Sequence, residues 1–193
     1  RVALGTRIER GRRFDASGPL RWLSPLRGLP LVGLYVNTED SSLRDLSPLR
    51  GMPLEDLNLY NCQKVTDLSP LRGMPLTRLA LRRCGGIDDL SPLKGMQVNY
   101  LTLEEAGSIR ALTPLAGMPL NYLNCNRTRI GDLGPLAGMQ LIYLFCSYTD
   151  VSDLSPLQGM SLQELHCERT KVCDLAPLRG MPLRKLVCSG CPV

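Results

Sequence analysis

The sequence is poor in aromatic residues, with six Tyr, two Phe and one Trp among 193 residues. A core built on bulky rings is thereby excluded, and the buried volume must come from aliphatic side chains. Histidine is represented by His166 alone, so any imidazole chemistry rests on one residue. No apolar run approaches the roughly 18 residues that a membrane-spanning helix needs. Charge of one sign is also scarce over most of the length. The net charge is +5, and residues 1–22 carry most of it, with six arginines against Glu9 and Asp15. The remainder holds 17 basic and 16 acidic residues, which disfavours a continuous basic face for nucleic acid. The chain opens on Arg1 and has no secretory apolar segment, so a fragment or processed form is expected.

What is abundant is regular. Gly and Pro together account for 33 residues, and much of that total is one turn used repeatedly. The segment Asp45-Leu46-Ser47-Pro48-Leu49-Arg50-Gly51-Met52-Pro53-Leu54 recurs along the chain, with its proline at 25, 48, 70, 92, 114, 135, 156 and 177. Steps of 21 to 23 residues are the period of a solenoid. After each proline unit comes L-x-x-L-x-L-x-x-(C/T), as in Leu54-Glu55-Asp56-Leu57-Asn58-Leu59-Tyr60-Asn61-Cys62. That is the leucine-rich repeat pattern.

One coil can be derived from these residues. The alternation at Leu57 and Leu59 predicts a short strand with one buried face. Ser47 is expected as N-cap, Pro48 at the first helical position and Gly51 at the stop; only one 3₁₀-like turn fits between them. A single coil cannot cover its own leucines, so neighbours must stack. The expected fold is an α/β leucine-rich repeat solenoid of about eight coils. A parallel β-sheet would line its concave face and 3₁₀ or turn segments its convex face. Residues 1–22 are expected to form an N-terminal cap or flank, with Phe14 and Trp22 plugging the first coil, and residues 23–193 the array of eight repeats.

The Asp-Leu-Ser-Pro-Leu convex segment resembles the bacterial, internalin-type class of leucine-rich repeats. The variant Leu-x-Cys-x-x-Thr, at Leu123-Asn124-Cys125-Asn126-Arg127-Thr128 and Leu165-His166-Cys167-Glu168-Arg169-Thr170, resembles arrays that accompany bacterial serine/threonine kinases. The resemblance implies a binding module, a sensor or recruitment region of a larger protein. The strand-end position holds Cys or Thr where internalins carry Asn, and no kinase signature lies in the chain.

Eight cysteines raise the question of disulfides or metal. Aligned by repeat, Cys125, Cys146, Cys167 and Cys188 occupy the inward strand position that Leu59, Leu81 and Leu103 fill earlier. Cys62, Cys84 and Cys191 share the strand end with Thr128, Thr149 and Thr170. Both sets are expected as ladders of small, reduced, buried side chains, with Cys173 outside them as the reactive thiol. No metal or cofactor is expected. Buried free thiols favour a reducing interior, with surface display or secretion left open.

Three outward columns of the strands are expected to form the concave face, and all six Tyr and Phe145 lie in these or in the position just beyond, which begins with Thr38. Tyr100, Tyr122 and Tyr143 should stack on consecutive strands, with Phe145 and Tyr148 beside them. Arg78, Arg82, Glu104, Glu164, His166 and Glu168 flank them, and the whole set is the expected surface for a protein or peptide partner. An acid–base or metal site at His166 with Glu164 and Glu168 is the weaker reading, because an open strand surface excludes no water. An assembly role is the other alternative: the chain stops at Val193 just after the last strand, which leaves an edge that a second copy would cover in a dimer.

Overall fold

The computed structural model describes residues 13–17, 22–38 and 42–193. Among these, nine strands form one parallel sheet in chain order: β1 (Arg13–Ser17), β2 (Gly33–Asn37), β3 (Asp56–Tyr60), β4 (Arg78–Arg82), β5 (Tyr100–Thr102), β6 (Tyr122–Asn124), β7 (Tyr143–Phe145), β8 (Glu164–His166) and β9 (Lys185–Val187). Among the described residues a single 3₁₀ turn lies between each of the eight consecutive strand pairs, such as Ser47–Leu49 between β2 and β3. No described helix is long and apolar enough to cross a membrane.

Register follows the repeat, so Leu34, Leu57 and Leu79 are direct partners, as are Leu101, Leu123 and Leu144. Within one coil Leu46, Leu49, Leu54, Leu57, Leu59, Cys62 and Val65 are all essentially inaccessible, and they join the neighbouring coils in one continuous core. Each such leucine contributes about 1.5–3 kcal/mol by leaving water. Residues 13–17, read in the sequence as part of a flank, supply a ninth strand in register with β2. Phe14 is buried at 6% exposure as expected of a plug, whereas Trp22 is 62% exposed and plugs nothing.

The convex turn is closed differently from the expectation. Leu46, not Ser47, stands at the cap position, and no side chain caps the turn there. Asp45 does that work from one residue earlier: its carboxylate accepts from the Ser47 N–H at 2.7 Å and from the Ser47 hydroxyl at 2.8 Å. The same pair recurs at Asp67–Ser69, Asp89–Ser91 and Asp153–Ser155. Because the backbone N–H is the constant donor, Gly134 and Ala176 can replace serine beneath Asp132 and Asp174. Gly51 ends the turn at φ +74 with open space around it, so conformation and not crowding requires glycine there.

The loss of one residue between the longer and the shorter coils has a chemical counterpart. In the longer coils a backbone bond closes the strand-end turn, from Val65 to Cys62, Ile87 to Cys84 and Ile109 to Ala106. In the shorter coils a threonine hydroxyl closes it instead: Thr128 donates to the Cys125 carbonyl at 2.7 Å, Thr149 to Cys146 at 2.6 Å and Thr170 to Cys167 at 2.7 Å.

Two stability outcomes are expected. Thr149→Val, which keeps shape but leaves the buried Cys146 carbonyl without its hydroxyl donor, should cost about 1–3 kcal/mol in urea unfolding. Bonds from Ser69, its N–H and then its hydroxyl, hold the Asp67 carboxyl below its ordinary 3.8; Asp89 and Asp153 are lowered in the same way by their serines. Carboxyls lowered by folding stabilise the fold above about pH 4 and lose that effect as pH falls through their folded values. The thermal midpoint should therefore drop below pH 4, and Asp67→Ala should lower it at neutral pH more than Ser69→Ala does.

Candidate interaction face

The parallel register carries equivalent side chains from strand to strand, which aligns Arg78, Tyr100, Tyr122, Tyr143, Glu164 and Lys185 in one row. Tyr100 and Tyr122 stack with ring centroids 4.2 Å apart and planes 11° apart. Tyr122 meets Tyr143 at 6.2 Å and Phe145 at 5.3 Å, and Phe145 meets the His166 ring edge-on at 4.7 Å. The Arg78 guanidinium lies 4.6 Å over Tyr100. At the far end the Glu164 carboxylate joins His166 Nε2 at 2.7 Å and Lys185 Nζ at 2.9 Å. The result is an unbroken band from a cation over four rings to an imidazole and an ion pair. Offset and tilted ring pairs of this kind add about 0.5–1.5 kcal/mol each beyond the area they bury.

Burial by neighbouring rings pushes the Tyr122 hydroxyl up to about 12, with Tyr100 adding to the shift. The bond from Lys185, followed by that from His166, lowers the Glu164 carboxyl, which is therefore anionic at neutral pH. Arg82 and Glu104 form a separate 2.6 Å pair in the third column. Glu168 does not join His166; it lies near the hydroxyls of Ser147 and Ser189, at 3.5 and 3.2 Å. The three groups weighed for acid–base work therefore do not converge.

Several residues of the outward columns are placed differently from the alternation rule. Thr102, Asn124 and Ser147 are buried. Asn124 caps the next turn by accepting from the Asn126 N–H at 3.0 Å, and Asn126 accepts from the Ser147 N–H at 2.7 Å. Thr38 is fully buried and donates to the Asn61 carbonyl. It lacks the left-handed backbone that turns its counterparts outward.

Tyr148 also stands apart from the ring band. It occupies the position after the third column, where Asn61, Arg83, Glu105, Arg127, Tyr148 and Arg169 all have φ between +49 and +60. Left-handed backbone redirects these side chains onto an edge of the face. There Tyr148 lies beneath the guanidinium of Arg127, 4.4 Å from the ring centroid, and near that of Arg169 at 5.8 Å. Sequence reasoning passed over Arg127 and Arg169. The signal available was Asn61 and Gly190 in the same column, residue types that tolerate positive φ.

The eight thiols are unpaired, and Cys62, Cys84, Cys125, Cys146 and Cys167 are buried. Burial pushes Cys125 and Cys167 up to about 12 and Cys146 well above its ordinary value. Cys191 donates to the Cys167 carbonyl at 2.9 Å. Cys173 alone is exposed.

Solved structures similar to this chain include two internalins. An internalin (InlF) from Listeria monocytogenes matches with a TM-score of 0.80 and 30% identity over 88% of this chain and 51% of its own. An internalin C2 (InlC2) from the same species matches with a TM-score of 0.72 and 28% identity over 84% of this chain and 70% of its own. The chain thus spans about half the length of the InlF structure. No protein-family model matches the sequence, and no curated protein matches it.

Thiol titration of the folded protein should label Cys173 first, and Cys173→Ser should remove that fast phase. The five buried ladder thiols should react only at the rate of unfolding, whereas Cys188 and Cys191, expected buried but found half-buried in the last coil, should react between the two.

Proposed function

Because the chain is a leucine-rich repeat solenoid of internalin-type coils, we propose that it is a non-catalytic interaction module that holds a protein or peptide on its concave face. The observation that carries this reading is where the aromatics go. The core is filled by Leu, Val, Ile, Met and Cys, with Phe14 as its sole ring among the described residues. Tyr100, Tyr122, Tyr143 and Phe145 instead meet one another on the sheet surface. Tyrosine suits a strand on any sheet, but β-propensity alone does not require four rings in mutual contact. Rings preset by stacking lose little side-chain freedom on binding, and Tyr and Arg are the residues that dominate interface energetics. Arg78 at one end and the Glu164–Lys185 pair at the other supply a polar rim.

Tyr143 is 38% exposed and no part of the core, so trimming it leaves the buried stack of leucines untouched. A Tyr122→Ala, Tyr143→Ala double variant should weaken partner capture by at least about 30-fold, the size of a hot-spot loss of about 2 kcal/mol. Its circular dichroism should match that of the parent, while its unfolding midpoint falls because the three ring contacts of Tyr122 are lost. Capture at parental strength by a folded double variant would sink the proposal.

A further inference from the structure

The left-handed column beside the concave face is set by the backbone ladder and not by its side chains. The N–H of Arg127 donates to Ser147, that of Tyr148 to Glu168 and that of Arg169 to Ser189, at 2.8 to 3.0 Å. Glycine satisfies the same geometry at Gly190, with φ +76. A β-carbon at these positions works against the backbone, so the ladder gives no structural reason for long side chains there. Three consecutive coils nevertheless carry Arg127, Tyr148 and Arg169.

Charge along this edge is also out of balance. On the concave columns and in the next coils of the same edge, cations have partners: Arg82 with Glu104, Arg83 with Glu105, Lys185 with Glu164. Arg127 and Arg169 have no carboxylate partner among the described residues; each guanidinium is instead near the Tyr148 ring. Two residues further along each turn lie Arg129, Asp150 and Lys171, with Lys171 bonded to Asp150 at 2.6 Å. The bond from Lys171, then the fields of Arg110 and Arg129, hold the Asp150 carboxyl below its ordinary range, so one acid serves three cations.

We propose that this edge is a second docking surface, independent of the aromatic band, for an extended acidic peptide whose carboxylates are taken by Arg127 and Arg169 on either side of Tyr148 in the chain of coils. Arginine presents a planar fork that matches a carboxylate, and a guanidinium already resting on a ring is oriented before the ligand arrives. Arg127 and Arg169 are two coils apart, about 9.6 Å at a strand spacing of about 4.8 Å. In an extended peptide of polyproline II form, with three residues per turn and a rise of about 3.1 Å, side chains at i and i+3 share one face about 9.3 Å apart and match the pair. Glu105 and Asp150 interrupt the basic row. A peptide with spaced acids can step past them, whereas a nucleic-acid backbone with a charge on every residue is repelled.

The test uses a labelled synthetic peptide with glutamates three residues apart, its glutamine counterpart, and a single-stranded oligothymidylate of equal length, followed by fluorescence anisotropy at low and at physiological salt. The glutamate peptide should bind, weakening with salt, and the other two should bind at least ten-fold more weakly. An Arg127→Gly, Arg169→Gly variant should lose binding at least ten-fold while its unfolding midpoint equals or exceeds that of the parent, because glycine suits the backbone. Arg127→Gln, Arg169→Gln, which keeps the β-carbons, should lose binding equally. The Tyr122→Ala, Tyr143→Ala variant should bind the peptide as the parent does, which separates this surface from the concave one. Parental affinity in either arginine variant, equal binding of the glutamine peptide or the oligothymidylate, or loss of binding in the tyrosine variant would each overturn the proposal.

Discussion

Everything in this molecule depends on the fact that a coil of 21 to 23 residues cannot bury its own leucines. Leu57 reaches zero exposure only because Leu34 and Leu79 lie directly beside it in the parallel ladder. Stacking therefore ties each inward position to its counterparts one coil away in either direction, and the tie is strict because interiors are packed to crystal-like density. A change in one member of a column must fit both neighbours. Leu59, Leu81 and Leu103 give way to Cys125, Cys146 and Cys167 as a block, where the coil shortens and a threonine hydroxyl takes over the turn. Side-chain chemistry, coil length and hydrogen bonding change together there.

The same constraint explains how much could be read from the residues alone. Inward columns repeat because packing forbids drift, so the solenoid, its strands, its turn and the buried cysteines follow from the period and the alternation. Phe14 is legible for the same reason, as an apolar residue adjacent to the first coil. Interactions local to the turn are less legible. Ser47 has the chemistry of an N-cap, but its own N–H and hydroxyl are both donated to Asp45, two positions earlier. Only the three-dimensional turn decides between two residues that are both good caps.

The candidate face was legible up to the point where the strand alternation stops. Tyr100, Tyr122, Tyr143 and Phe145 lie within β5 to β7 and come together as two-residue periodicity dictates. Tyr148 lies beyond β7, after a left-handed residue has become the rule, and alternation no longer says where its ring goes. Asn124 and Ser147 fail for a related reason: short polar side chains at a strand end find backbone groups close by and turn toward them. Period-2 reasoning holds where the ladder is regular and loses force within a residue or two of its end.

Net charge behaves like a column property and not like a property of the whole surface. Around the convex turns the bonds from Ser47, Ser69 and Ser91 lower Asp45, Asp67 and Asp89 most, and Arg27, Arg50 and Arg72 add to the effect. On the concave columns Asp56 lies between Arg13 and Arg78, and Glu164 between His166 and Lys185. Such rows largely cancel, which is why an array with 17 basic and 16 acidic residues has almost no net charge. Cancellation by rows does not require cancellation everywhere. The coils from Glu105 to Lys171 keep their unpaired arginines on one edge, where the backbone would accept glycine and the core asks for nothing. In a stacked fold the inward columns are owned by neighbouring coils, so residues that serve an outside partner collect in the columns the stack leaves free.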